Sequence, residues 1–484
     1  MKRILPFLLF AFASYIPKAQ TVDSTFKKQW KEIDSLVEKG SLPKTALAKV
    51  NKIYEEAKSR ELRAQVIKAL LYRARLENKN TETDINDAVA GWNKEITEAK
   101  DVLQQSVLQV MLAEEIKSYF NSNYWQIEQR SETNNFKKVD ITTWSKNDFL
   151  TTISALYTKA LTPAKVLQQA DTQQYGAIIL KGNVPQLRPT MYDLLVNMAI
   201  DFYTERASAQ TKPENAFSLN DTMALAAAPG FIGHHFITAD TSSFLLKTVQ
   251  LYQQLVQFHT MRGDTAALID ADINRITWVS DNASFANKEA SYKTALTFIT
   301  EKYTNHPQAA QAWYLLIKII DDKAASYNAF TDTAHRYDLV TVRQMILQRL
   351  AAQPAESEGN SNMQELLREI DGKELSSKAE EINVPGEPFR MLLNFKNADT
   401  FYARILSKNL VDVLHTKNDS TFWAEVSTLP YIKSFIQPLP KTNDYRQHST
   451  EIKIDALPAG QYVILGSNAS SFTDSSSRLR GKPL

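Results

Sequence analysis

Ile382-Asn-Val-Pro-Gly-Glu-Pro-Phe-Arg-Met-Leu-Leu-Asn-Phe395 is where the chain changes its period. Pro385-Gly386 marks a turn, and after it Phe389, Met391, Leu393 and Phe395 alternate with other residues in the manner of a strand with one buried face. Working downstream, Asn397-Ala-Asp399 reads as a second turn, followed by the alternation of Phe401, Ala403 and Ile405. Ile452 and Ile454 alternate with charged residues up to Leu457-Pro-Ala-Gly460, and Tyr462, Ile464 and Gly466 bring the chain back. Residues 380–470 therefore read as a small β-sandwich. The Ser-rich, basic stretch 471–484 offers no packing pattern and is expected to be disordered, with no closing strand after Ser470.

Working upstream from the same point, apolar residues recur at three and four from about Thr21 to Leu375. Phe26, Trp30, Ile33 and Val37 line one helical face, with Gly40 as a left-handed stop. Ser41 and Pro43 suit the cap and first turn of the next helix, whose stripe is Leu47, Val50, Ile53 and Tyr54. Pro189 introduces Leu194, Leu195, Met198 and Phe202. A looser stretch, 207–241, carries Pro213, Pro229, Gly230 and Gly233 and reads as a connection between an N-terminal helical array, 21–206, and a second helical part, 242–379. Tyr292–Tyr303, the His306-Pro307 turn and the Ala310–Ile319 stripe suggest a degenerate tetratricopeptide-type pair. The fold class expected is mainly α: a helical-repeat-like array followed by a β-sandwich, α+β overall.

The first 20 residues read as an export signal, with Lys2 and Arg3 ahead of an apolar run from Ile4 to Ile16. That run is shorter than the roughly 20 residues a bilayer-spanning helix needs. The 13 glycines of 484 residues favour helices over an all-β repeat. Cysteine is absent, which excludes a disulfide framework and a thiolate nucleophile. Lys2, Arg3 and Lys18 belong to the signal; without them 53 basic side chains stand against 54 acidic ones, a net charge of −1. A near-neutral chain with no basic run has no electrostatic footprint for nucleic acid, and no later segment is apolar enough to cross a membrane. Export without cysteine points to a bacterial periplasm or cell surface.

Three features invite a chemical reading. His234-His235 is the only histidine pair, but adjacent histidines rarely share a metal and no third ligand lies near in sequence. Asp270, Asp272 and Asn274 imitate the start of a calcium loop, yet Arg275 stands where such loops need Gly and Asp281 where they use Glu. The aromatic clusters Tyr124-Trp125, Trp144 and Trp313-Tyr314 fit inter-helix packing better than a sugar- or peptide-binding face. Phosphate-cradling and nucleophile-elbow motifs are absent. No catalytic, cofactor-binding or metal residue is assigned, and no enzymatic activity is expected.

Trp30-Lys-Glu-Ile-Asp-Ser-Leu36, Gly40-Ser-Leu-Pro-Lys-Thr-Ala-Leu47, Val50-Asn-Lys-Ile-Tyr-Glu-Glu-Ala-Lys58 and Gln65-Val-Ile-Lys-Ala-Leu-Leu-Tyr-Arg73 together resemble the N-terminal region of bacterial α2-macroglobulin-like proteins that carry a long helical segment ahead of their macroglobulin domains. Val384-Pro-Gly-Glu-Pro-Phe389, Phe401-Tyr-Ala-Arg404 and Ile454-Asp-Ala-Leu-Pro-Ala-Gly-Gln-Tyr462 resemble strands of a macroglobulin domain. The resemblance implies an envelope protein of the endopeptidase-inhibitor family, with a protease or another envelope protein as partner. In that family a bait region is cut by the attacking protease, and many members capture the attacker through a Cys–Gln thioester. Without cysteine no thioester can form here, and no bait region is identifiable. The expectation is a non-catalytic N-terminal part of such a protein, truncated or frame-shifted near its end. The alternative is a free-standing helical-repeat protein that binds a glycan or peptide at the envelope.

Overall fold

The computed structural model describes residues 24–39, 42–79, 84–130, 139–179, 182, 184–353, 355–412, 414, 422, 425–472 and 478–480. The expected signal, the Gly40 stop and the Ser41 cap lie outside the described residues. The chain divides into two compact units, Met1–Ser291 and Tyr292–Leu484.

The first unit is helical. Its main helices are α1 (Ser24–Lys39), α2 (Pro43–Ser59), α3 (Arg63–Lys79), α4 (Ile85–Glu98), α5 (Val102–Ser122), α6 (Tyr124–Glu128), α7 (Lys146–Leu161), α8 (Ala164–Gln169), α9 (Met191–Arg206), α10 (Ala228–Gly233), α11 (Phe244–Arg262) and α12 (Thr265–Asn282). Successive helices pack on one another: α1 on α2, α2 on α3, α4 on α5, α5 on α7, α7 on α9, α9 on α11 and α11 on α12. Local chemistry sets several starts. Pro43 takes the first position of α2, although Leu42 ahead of it makes no side-chain cap. Ser145 and Asp148 form a reciprocal capping box on α7, and Thr190 and Asp193 form another on α9. Gly263, at φ +79°, ends α11 with its N–H on the carbonyl of His259.

The stretch 207–241 is not a boundary. It contains a 3₁₀ turn, Thr222–Leu225, and α10, which packs on α11, and its Ala224 and Phe231 are fully buried. Its prolines and glycines shape a folded segment; they do not loosen it. Consequently α11 and α12, expected in a second helical part, belong to the first unit.

The division between the units falls within α13 (Lys288–Lys302), which leads past Pro307 to α14 (Ala309–Ala324) of the second unit. The extensive neighbours of α14 are α15 (Asp338–Ala352) and α16 (Glu358–Asp371). The three share a core of Ala310, Ile317, Val342, Ile346, Met363, Leu366 and Ile370. Two antiparallel sheets follow. One has the order β1 (Glu374–Ala379), β2 (Phe389–Lys396), β5 (His448–Ile454). The other has the order β4 (Lys433–Pro438), β3 (Thr400–Ser407), β6 (Tyr462–Ser467), β7 (Arg478–Arg480). The alternation read from Phe389 onward is the inner face: Met391, Leu393 and Phe395 meet Phe401, Ala403, Ile405, Ile452, Ile454 and Ile464 in one apolar cluster between the sheets. The outer face of the second sheet carries another cluster, in which Leu406, Val463 and Leu465 meet Val411 of α17 (Lys408–Asp412), Phe422 and Val426.

Two expectations are corrected here. The sheets begin at Glu374, inside the stretch expected to be helical, because β1 completes the edge of β2 in the register Leu375 to Phe395. The tail is not wholly unpaired either. Phe472 is buried, and Arg478–Arg480 runs antiparallel to Leu465–Ser467, since backbone pairing on an open edge does not require a hydrophobic pattern.

Candidate functional site

The residues singled out in the sequence fall into structural roles. His234 Nε2 lies 2.7 Å from Asp221 Oδ2 and its ring stands edge-on to Phe236, while His235 points to solvent. Asp270, Asp272 and Asn274 lie on α12, where a calcium loop cannot form. Both Nε and Nη2 of the fully buried Arg275 donate to Asp272 Oδ1, at 2.9 and 2.6 Å, and Nη1 donates to the carbonyl of Ala224. Its guanidinium also sits 4.3 Å from the centre of the Phe231 ring. The residue that disqualifies the calcium pattern thus fastens α10 and the 3₁₀ turn to α12. Among the aromatics, Tyr124 packs edge-on to Phe120, Trp144 packs on Phe149, and Trp313 lies beneath Arg349. Trp125 alone of this set is mostly exposed, at 78%. Among the described residues no group of three or more histidines and acids is placed to hold a metal ion.

Two buried polar centres in the first unit escaped the sequence. At one, Asp193 accepts from the Thr190 backbone and hydroxyl through Oδ2 and lies 2.7 Å from His259 Nε2 through Oδ1, with both side chains 1% exposed. Oδ2 thereby caps α9 while Oδ1 joins its start to the end of α11. At the other, Lys247 Nζ donates to Ser154 Oγ at 2.6 Å, and the Tyr203 hydroxyl lies 3.1 Å from the same oxygen. Burial, with no carboxylate to offset it, holds the Lys247 amine below the usual lysine range. A hydroxyl beside such an amine is the arrangement of a nucleophile and its base. Ser154, however, lies 3% exposed within α7, with α9 packed on that helix, and none of the clefts described below borders it. Interhelical hydrogen bonding accounts for all three groups.

The second unit holds a denser arrangement. Asp444, with no exposed side-chain surface, accepts from Arg336 Nε at 3.1 Å, lies 2.8 Å from His448 Nε2, and accepts from the Arg446 N–H at 3.2 Å. Burial raises its pKa, but the His448, Arg446 and Arg336 contacts outweigh that and hold the carboxyl below its usual range. Arg446 completes the junction by donating to the carbonyls of Arg336 and His335, at 2.8 and 2.5 Å, over the ring of Tyr327. The segment between α14 and α15 is in this way clamped to the loop between β4 and β5.

At one end of the sandwich a cleft of about 430 Å³ opens between the β1–β2 strap and the β5–β6 turn. Ile382 and Val384 on the strap are 89% and 69% exposed, facing a wall that includes Phe389, Leu457, Pro458 and Tyr462. The strap is held by a turn, with the Glu387 N–H on the Val384 carbonyl and Gly386 at φ +80° after Pro385, the dihedral signature of type II. The Gly386 N–H also donates to the Leu457 carbonyl at 2.9 Å, and Tyr462 Oη donates to the Pro458 carbonyl. Glu381 and Glu387 at the mouth have no ion-pair partner among the described residues, whereas Lys408 is spoken for by Asp412 at 2.5 Å. No family model and no curated protein matches this chain.

Proposed function

We propose that this chain is the non-catalytic, helical front part of an α2-macroglobulin-like envelope protein, exported across the inner membrane of a bacterium and serving as scaffold and docking module. The observation that supports this reading is the clamp around Asp444. The segment between α14 and α15 is tied to a two-sheet sandwich by part-buried, charge-assisted hydrogen bonds, which suits a rigid arm better than a flexibly linked pair of domains. The strongest nucleophile and base pair, Ser154 and Lys247, is consumed by packing, which favours a structural role for the helices. The test is to read the coding DNA downstream of codon 484 in all three frames. Further macroglobulin-like strands uphold the proposal, and an unrelated gene directly behind a stop in every frame overturns it.

A second reading, a glycan- or peptide-binding helical protein, draws on a polar cleft of about 590 Å³ between α2, α3 and α4. There the Arg73 guanidinium lies 5.2 Å from the centre of the Tyr54 ring and has no carboxylate partner among the described residues. Retention of acidic oligosaccharides on a glycan array, abolished by Arg73→Ala, would move this reading to the front.

A further inference from the structure

We infer that the cleft between the β1–β2 strap and the β5–β6 turn is a docking site for a polypeptide segment with an apolar centre and flanking lysine or arginine. The inference rests on the module reading above and names the chemistry of the partner. Ile382 and Val384 are two apolar side chains held side by side in water on a strap that cannot simply fold them away. The type II turn at Val384–Glu387 and the Gly386 hydrogen bond to Leu457 fix its course. A wall already in its bound shape loses little conformational freedom when a partner arrives.

Charge selects the occupant. Among the described residues Glu381 and Glu387 at the mouth have no ion-pair partner, and the one ammonium group lining the cleft, Lys408, is neutralised by Asp412. The mouth therefore carries an uncompensated negative field that attracts cationic side chains and repels acidic ones. A second copy of this chain is a poor occupant, since a two-fold contact through this cleft would set the same carboxylates against each other. A saccharide is disfavoured because the exposed side chains of the strap are aliphatic, while the two aromatic rings of the wall, Phe389 and Tyr462, are only partly exposed.

The experiment measures anisotropy of fluorescein-labelled peptides with the full chain. The probe peptides are Lys-Val-Ile-Val-Leu-Lys, the charge-reversed Glu-Val-Ile-Val-Leu-Glu and the polar Lys-Ser-Thr-Ser-Ser-Lys. The first is expected to bind, the second roughly tenfold or more weaker, and the third not measurably. Glu381→Lys with Glu387→Lys should invert the preference between the first two peptides. Ile382→Ser with Val384→Ser should weaken both by roughly tenfold. All four positions are exposed, so the variants keep the fold, which far-UV circular dichroism checks. Equal binding of the first two peptides, no binding of any, or an unchanged preference in the charge-reversed variant overturns the proposal. Those outcomes leave the module reading standing, and an unrelated downstream gene would remove that reading without altering a measured peptide preference.

Discussion

Asp444 shows how much a single side chain can hold. Its carboxylate gathers an arginine from the α14–α15 segment, a histidine from β5 and a backbone N–H from its own loop. The folded-state pKa lies below the unfolded value, so the stabilisation is complete above pH ~4 and is lost as pH falls through the depressed folded value. Asp444→Asn should cost about 2 kcal/mol at pH 7 by urea unfolding, and the difference from wild type should shrink below pH ~4. Lys247 obeys the opposite logic. Its folded pKa is lowered by burial, so the unfolded chain holds this proton more tightly and the group disfavours folding at neutral pH. That penalty fades as pH rises above the folded value. Lys247→Met should therefore change stability by less than about 1 kcal/mol at pH 7, since Ser154 keeps its contact with Tyr203. A loss of several kcal/mol on calorimetric scanning would mean that the amine is structurally indispensable.

At the level of elements, α16 begins in close contact with the backbone of α14. A Cβ added at Gly359 would lie 2.1 Å from the carbonyl carbon of Ala310 and 2.2 Å from the Gln311 nitrogen, both backbone atoms that no rotamer change can move. Gly359→Ala should thus destabilise the second unit by about 1–3 kcal/mol, read as a fall in urea midpoint. The opposite effect, stabilisation by helix propensity, would show that the helices can slide apart at no cost. The capping boxes on α7 and α9 are the same device used twice, and both were within reach of the sequence as Ser145-x-x-Asp148 and Thr190-x-x-Asp193. Strand β1 was not: Glu-Leu-Ser-Ser-Lys-Ala carries two apolar residues at its inward positions, too weak an alternation to stand out until β2 lies beside it.

Over the whole molecule, the division into two compact units predicts thermal unfolding in more than one step, with a calorimetric enthalpy larger than the van't Hoff value. A single two-state transition would refute that independence. The change of period at Pro385-Gly386, the inner-face alternation from Phe389 to Phe395 and the helical stripes before it are local patterns, because burial on one face repeats at the pitch of the backbone itself. The sequence by itself therefore determined that helices give way to an antiparallel sandwich, and which side chains of β2, β3 and β5 fill it. Contacts between residues far apart in the chain carry no such period. Tertiary structure alone decided that 207–241 is folded in, that Arg275 fastens it, and that Arg336 and Asp444, 108 residues apart, close a junction. It also decided that Glu381, Ile382 and Val384 face Leu457 and Pro458 across a cleft, because charge and hydrophobicity become a site only when folding sets their distance.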